Sequence, residues 1–406
     1  MYENVDNGQL KEKLIKDFPG LSKEIDGQQV YYLDSAATTL KPRQMVEAIN
    51  DYYLGVSANI HRGKHFALEE VSNQYEGVRY KVANLIDCSG NEVVFLRNTT
   101  EAINLVASGL NLSKTDRVVC MAESHHSNML PWLQAASVDY IRVTDDFCVD
   151  LEHYQSLLAS KPKVVALTHC SNVTGIYIDL PLMVKMAKAA GALVVVDAAQ
   201  SVPHRKLSVS ELDIDFLAFS AHKMLGPTGV GVLYGKSQLL EKLTPLNLGG
   251  GVVDWVEFDA FTLRKVPHRF EAGTPNISGV LGLGASIDYL NGLGFDFIRE
   301  HDKRLGRFML EQAGKRDYLQ VLNSDPDADR GAVLSFTIPK SPNLDDVARY
   351  LSDSFGIMCR NGHLCAQPYI SSVSPGQVLR VSGYVYTFES DIEHFFDSLD
   401  QIVSFL

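Results

Sequence analysis

The sequence predicts an α/β fold: a large unit built on a mostly parallel but mixed sheet, followed by a smaller α+β unit. Three observations carry that prediction. Short β-rich runs alternate with helical patterns from about residue 90 to 235, the signature of a sheet covered by helices on both faces. Only AHKMLGPT separates the runs DFLAFS and GVGVLY, too few residues for a helical crossover, so that pairing must be antiparallel. After about residue 275 the layout changes to long helical stretches followed by strands. The expected division is residues 25–285 for the large unit and 286–406 for the small one, with residues 1–24 packing on the latter.

In chain order, QLKEKLIKDF reads as a first helix, and Lys41-Pro42 opens a second through QMVEAINDYYL, with proline in its first turn. Leu68, Val71, Tyr75, Val78, Val82 and Leu85 recur at three- and four-residue spacing and mark one buried helical face. The strands follow as EVVFL, RVVCM, YIRV, VVALTH, ALVVVD, DFLAFS and GVGVLY. Beyond them, GVLGLGASIDYLNGLG and FDFIREHDKRLGRFMLEQAG read as helices, and NLDDVARYLSDSF as a helix between the strands AVLSFTI and VLRVSG. Ser390 and Glu393 have the spacing of a capping box at the start of the last helix.

Composition sets the outer limits. With 406 residues, 46% hydrophobic and 21% charged, the chain can bury a full core. A formal charge of -12 argues against broad binding to nucleic acid or anionic membrane. No apolar run approaches the roughly 20 residues of a membrane span, and MYENVDNGQLKEK lacks the apolar core of a signal peptide. A soluble, cytoplasmic protein is expected. The six cysteines form no C-x-x-C pair, which disfavours a disulfide scaffold or a structural zinc site. Cys88, Cys120, Cys148 and Cys170 lie mostly in apolar surroundings, whereas Cys359 and Cys365 flank Gly362 and His363 in a polar loop suited to a reactive thiolate.

The chemistry centres on Ser220-Ala221-His222-Lys223, directly after a strand and before the turn GPTGVG. A partly desolvated lysine there can hold an aldehyde cofactor as a Schiff base, although a surface lysine in a turn would look the same. Asp197 closes ALVVVD and Gln200 follows three residues on. A carboxylate at a strand's C-terminal end sits where α/β folds bind ligands, and beside a pyridinium nitrogen it keeps that ring protonated and electron-accepting. Asn98-Thr99-Thr100-Glu101 joins a strand to a helix, and a helix N-terminus with hydroxyls is a ready phosphate site. Ser220 and His222 can serve the same phosphate. His125-His126 follow RVVCM, where an imidazole can stack on a flat ring and move protons. His61 and His65 have a helix-like spacing, but no neighbouring Cys or carboxylate completes a metal set at recognised spacing, so no metal is expected.

The ordered set DSAATT, HRG, NTTEAIN, HHSN, SNVTG, VDAAQS, SAHK, GGG, FEAGTPN, RNGHLCAQP and LRVSGYVYT resembles the cysteine desulfurases of the class V aminotransferase superfamily. It is most similar to the group II, SufS and CsdA type, over nearly the whole chain from about residue 30. The resemblance implies the type I fold of pyridoxal phosphate-dependent transferases and an enzyme that converts L-cysteine to L-alanine. It implies that Lys223 holds the cofactor and moves the substrate α-proton, Asp197 pairs with the ring nitrogen, Gln200 meets the phenolic oxygen, and His125 stacks on the ring. Thr99, Thr100, Ser220 and His222 would hold the phosphate, with Gly273 and Thr274 reaching the phosphate of a neighbouring subunit in a homodimer. Arg380 would bind the substrate carboxylate, Asn172 would lie near that carboxylate and the cofactor ring and serve both, and His61, Arg62 and Arg360 would line the substrate entrance. Cys365 falls on the nucleophile position, where it would carry a persulfide to a SufE-like or SufU-like acceptor for iron–sulfur cluster or other sulfur biosynthesis.

Three residues depart from the family pattern. Leu364 stands where a second histidine is usual before the cysteine, which removes one potential partner for the thiol and leaves His363, while Ser124 and Asn361 are also unusual. Other readings of the same pocket stay open at this point: a selenocysteine lyase, a cysteine or cystine C–S lyase, a sulfinate-cleaving enzyme, or a cofactor-binding scaffold without turnover.

Overall fold

Runs of β-branched and aromatic residues in the middle of the chain pair into one seven-stranded sheet. The computed structural model describes residues 7–25, 27–144, 146–339, 343–374 and 376–405. In chain order the strands are β1 (Val93–Leu96), β2 (Arg117–Met121), β3 (Ser137–Ile141), β4 (Val164–Thr168), β5 (Leu193–Asp197), β6 (Phe216–Ser220) and β7 (Gly231–Gly235). Their spatial order is β1-β7-β6-β5-β4-β2-β3. β7 runs antiparallel to both β1 and β6, and the other pairings are parallel. The short connection after DFLAFS therefore has the effect its length dictates. One expected strand moves: YIRV gives way to Ser137–Ile141, because Arg117 to Met121 take Ser137 to Ile141 as partners and Val143 forms only a bridge to Val149.

Six of the seven strands run in one direction, so the C-terminal ends of β1, β2, β4, β5 and β6 share one edge of the sheet. The predicted face of the helix Phe66–Ile86 is observed, with Leu68, Val71, Tyr75, Val78, Val82 and Leu85 all buried. His65 caps this helix by accepting a hydrogen bond from the Leu68 N–H through Nδ1 at 3.2 Å. The helix Thr99–Gly109 starts where β1 ends, and the Asn98 side chain accepts from the Glu101 N–H at 2.9 Å.

The C-terminal region builds its own four-stranded sheet from β8 (Gln320–Val321), β9 (Val333–Thr337), β10 (Arg360–Gly362) and β11 (Val378–Ser382), in the order β8-β9-β11-β10. A separate apolar cluster, including Leu334, Phe336, Leu379, Phe395 and Phe396, lies beneath it. A division at residue 285 would cut the continuous helix Ile277–Leu293, whose Ile287, Leu290 and Leu293 belong to the large cluster. The first helix, Asn7–Asp17, does not sit on the small unit alone. Leu10, Leu14 and Phe18 join the large cluster, Phe18 meets Tyr386, and Asp17 accepts from Gln44 and Tyr289. The last helix, Glu389–Val403, begins one residue before Ser390. Asp391 therefore takes the expected capping role, accepting from the Phe388 N–H at 2.9 Å.

Residues 34–41 bolt the two units together. Asp34 bridges to Ser382 in parallel, Ala36 N–H donates to Ser382 Oγ at 2.9 Å, and the Tyr386 hydroxyl accepts from the Leu40 N–H. On the other side, the His222 carbonyl accepts from Thr39 N–H, the Thr38 and Thr39 hydroxyls, and Lys41 Nζ. The peptide before Lys223 and the strand carrying Arg380 are thus braced by one segment.

Candidate active site

A cavity of about 300 Å³ opens where those strand ends meet the small unit. It is lined by Thr99, Thr100, His125, Asn172, Asp197, Gln200, Ser220, His222, Lys223, Arg360, Cys365 and Arg380. All but four of the site residues expected from sequence are here. His61, Arg62, Gly273 and Thr274 instead line a second cavity with Gly250, Gly251, Arg264 and His268.

Burial sets the electrostatics of the inner end. Lys223 has its pKa lowered to about 8, chiefly by burial, with Asp197 acting in the opposite direction. Asp197 is itself buried, which pushes its carboxyl up, while the Ala199 N–H at 3.0 Å and the Lys223 charge oppose the shift. His125 and His222 are both lowered to about 4, first by burial and then by Lys223. His125 Nδ1 accepts from the Ser127 N–H at 3.1 Å, so its proton resides on Nε2. Gln200 donates to the Ala36 carbonyl at 2.7 Å, Thr99 N–H donates to Ser220 Oγ at 2.8 Å, and the Thr100 and Ser127 hydroxyls share a bond of 2.7 Å.

The outer end is built differently. Leu364 and Cys365 both have left-handed backbones, φ 49° and 56°, a conformation costing non-glycine residues about 1–2 kcal/mol each. Three contacts hold them there. Asn172 Nδ2 donates to the Leu364 carbonyl at 2.9 Å, the His126 N–H donates to the Cys365 carbonyl at 2.7 Å, and the Gln367 N–H donates to His126 Nε2 at 3.1 Å. The result is an exposed thiol at the mouth of a buried pocket.

The departures from the family pattern now have local explanations. The Leu364 side chain is buried among Val173, Leu322, Ala366, Tyr369, Ile370 and Val378, a pocket made for an apolar group. Ser124 is buried and bonds Thr168, and Asn361 donates to Asp345 and Gln377. His363 is exposed and is not among the residues lining the cavity. Sequence reasoning overlooked Asp34, whose carboxylate joins Arg360 and Arg380, and Ser127, the partner of Thr100. Both lie inside recognised motifs, DSAATT and HHSN, where an acid at a strand end and a hydroxyl beside the histidines were the available signals.

His61 and His65 do not form a pair, because His65 caps the helix Phe66–Ile86 while His61 Nε2 lies 2.9 Å from Glu76. His61, Glu76 and His268 do converge, with ligand atoms within 4.8 Å of one another. Arg79 nevertheless bonds both Glu76 oxygens, at 2.8 and 3.1 Å, committing that carboxylate to an ion pair.

The unmet demands of the donor set suit pyridoxal phosphate. Asn172 Oδ1 and Arg380 Nε are buried in the cavity without a hydrogen-bond partner, a state that costs about 1–3 kcal/mol per group unless a ligand satisfies it. With a helix N-terminus and hydroxyls at one end, a buried acid behind, and a lysine of lowered pKa between, the residues fit that cofactor.

Comparison with known proteins agrees with this architecture. The model of the aminotransferase class-V family matches residues 31–395, and the chain belongs to that family, whose cofactor is pyridoxal phosphate. Within it, the chain is 40% identical to a probable cysteine desulfurase of Halalkalibacterium halodurans, over 93% of this chain and 94% of that one. It is 38% identical to another from Streptomyces coelicolor, over 97% of each. Among solved structures, apo cysteine desulfurase from Thermococcus onnurineus superposes with a TM-score of 0.91 at 35% identity, covering 97% of this chain and 98% of that one. The Escherichia coli cysteine desulfurase CsdA gives 0.88 at 34%, covering 99% and 100%.

Proposed function

We propose that this chain is a pyridoxal phosphate-dependent cysteine desulfurase: L-cysteine and the Cys365 thiol yield L-alanine and a Cys365 persulfide, which an acceptor then removes. The observation that carries the proposal is a single cavity lined by Lys223, Asp197, Arg380 and Cys365.

When bound, the cofactor supplies an aldehyde for the substrate amine and a protonated ring that accepts the electron pair freed at Cα. Every other task falls to the chain. Lys223, with its pKa near 8, has an appreciable neutral fraction at physiological pH, so its amine can hold the cofactor and then take the α-proton. Asp197 would stand as the acidic partner of the ring nitrogen, and Gln200 would serve the phenolic oxygen. His125, a neutral imidazole, would stack on the ring, while Thr99, Thr100, Ser220 and His222 would hold the phosphate. Arg380 takes the substrate carboxylate on the Nε edge that has no protein partner, next to Asn172. Cys365 thiolate attacks the substrate sulfur, the Cβ–S bond breaks, and Cβ is left to take up a proton.

Residues through Leu293 serve as the cofactor-holding unit and the remainder as the unit carrying Arg360, Cys365 and Arg380. In a homodimer the second cavity, with His61, Arg62, Gly273 and Thr274, would face the partner's site, and Gly273 and Thr274 would help hold the phosphate there. L-selenocysteine fits the same pocket. The acceptor is a SufE-like or SufU-like protein docking at the exposed thiol. Among the described residues no helix is long and apolar enough to cross a membrane, and the acidic balance with unpaired cysteines suits a cytoplasmic role in iron–sulfur cluster or related sulfur biosynthesis.

The test is incubation with L-cysteine, measuring alanine and the mass of the Cys365 peptide. A stoichiometric gain of one sulfur with alanine formation is expected. Alanine without that gain, or full turnover by Cys365→Ala, would overturn the reading.

A further inference from the structure

We propose that His126 is a positioning residue for sulfur transfer: its imidazole caps, across the boundary between the two units, the helix that follows Cys365, and so sets where the thiol stands. This rests on reading Cys365 as the nucleophile. The helix Gln367–Val373 opens directly after the cysteine loop, and its N-cap residue, Ala366, has no side-chain acceptor to offer. The first N–H groups of a helix have no partner within it. Here the Gln367 N–H donates to His126 Nε2 at 3.1 Å, an acceptor supplied from 241 residues earlier in the chain.

The same residue also grips the cysteine itself. The His126 main-chain N–H donates to the Cys365 carbonyl at 2.7 Å, so one residue holds the chain on both sides of Ala366. That grip matters because Leu364 and Cys365 both lie in the left-handed region, which non-glycine residues keep only where their surroundings over-determine it. Asn172 braces the Leu364 carbonyl, before the cysteine, and His126 braces the chain from the cysteine onward. His126 is in turn rooted in the core. It opens the short 3-10 helix His126–Asn128, and Asn128, fully buried, donates from Nδ2 to the Leu167 carbonyl at 3.2 Å and accepts from Trp132 Nε1 at 3.1 Å. A continuous path of contacts therefore runs from strand β4 through His126 to the residues flanking the thiol.

The test compares His126→Ala, His126→Gln and His126→Asn in the cofactor-loaded full chain. The amide oxygen of Gln reaches about as far as Nε2 and can accept the same bond, whereas that of Asn reaches only as far as Nδ1. In His126→Ala, first-turnover sulfur transfer from L-cysteine, read as the mass gain of the Cys365 peptide, should slow by about fivefold or more. Backbone hydrogen exchange in the peptide spanning residues 363–370 should quicken by about fivefold. Exchange of the α-hydrogen of L-alanine in deuterium oxide, which calls on Lys223 and not on the thiol, should keep its wild-type rate. His126→Gln should return both transfer and backbone exchange to wild-type values, and His126→Asn should not. Transfer at the wild-type rate in His126→Ala, equal behaviour of the Gln and Asn variants, or a parallel fall in α-hydrogen exchange overturns the proposal. Should His126→Ala fail to fold, the Gln and Asn pair decides on the same terms. A wild type that gains no sulfur on Cys365 counts against the functional reading, whereas backbone exchange of the loop scores the cap by itself.

Discussion

The inner and outer ends of the cavity solve opposite problems. At the inner end, Lys223, Asp197, His125 and His222 sit at the ends of sheet strands or just beyond them, and burial shifts all four titrations. At the outer end, Cys365 is exposed on a loop whose left-handed backbone is held by Asn172 and His126. The inner end tunes reactivity through dielectric environment, and the outer end through placement. A group that must stay with a cofactor gains from a rigid, dry setting, whereas a sulfur that must leave with an acceptor has to remain within reach of solvent.

Substitutions can break this contrast in graded steps. The largest effect is expected for Lys223→Ala, which should lower alanine formation by about 10⁴-fold and abolish borohydride-trapped labelling of the lysine-containing peptide. Labelling elsewhere would remove the inner end from its role. Cys365→Ala should lower turnover of L-cysteine by about 10³-fold while leaving cofactor absorbance intact, as judged by steady-state assay and spectrum.

The inner end also predicts a pH response. Lys223 loses its proton near pH 8 in the folded chain and near 10.4 when unfolded. Between those values the unfolded state binds the extra proton, so Lys223's contribution to the stability of cofactor-free protein increases as pH rises from about 8 to about 10.4. In parallel, the rate of cofactor attachment should fall about tenfold per pH unit below 8, because only the neutral amine reacts. Stopped-flow absorbance across pH 6 to 9 would show it, and a flat profile would contradict the burial argument.

At the outer end, Asn172→Ala releases the Leu364 carbonyl and removes a group beside the substrate. A drop of about tenfold in kcat/KM is expected, with little change in cofactor affinity. The smallest effect concerns Leu364→His, which restores the family's usual residue. An imidazole in that apolar cluster should cost about 1–3 kcal/mol of stability without raising turnover, measurable by denaturant melts alongside the alanine assay. A rise in turnover would show that the leucine is a true loss beside the thiol.

Much of the inner end was legible in the chain. SAHK, VDAAQS and NTTEAIN each lie where a strand gives way to a loop or helix, and periodicity located those strands, so strand-end chemistry could be assigned from local pattern. Asp34 was not legible as a bridge. Its two arginines lie 326 and 346 residues away, and nothing in local spacing pairs them. Leu364 read as a loss beside the thiol until its neighbours Val173, Leu322 and Val378 were seen to form an apolar niche. The cap at the last helix moved from Ser390 and Glu393 to Phe388 and Asp391 because the helix begins two residues earlier than spacing alone suggested.

The sequence by itself determined the α/β class and the strand that must reverse, because hydrophobic period and loop length are local properties, and it supplied the side-chain types of the groups proposed to handle cofactor and sulfur. Only the tertiary structure decided that Lys223 and Cys365 share one cavity while His61 and Thr274 line another, and that one carboxylate governs two arginines. Those facts depend on contacts between segments hundreds of residues apart, which cooperative packing of the whole chain establishes.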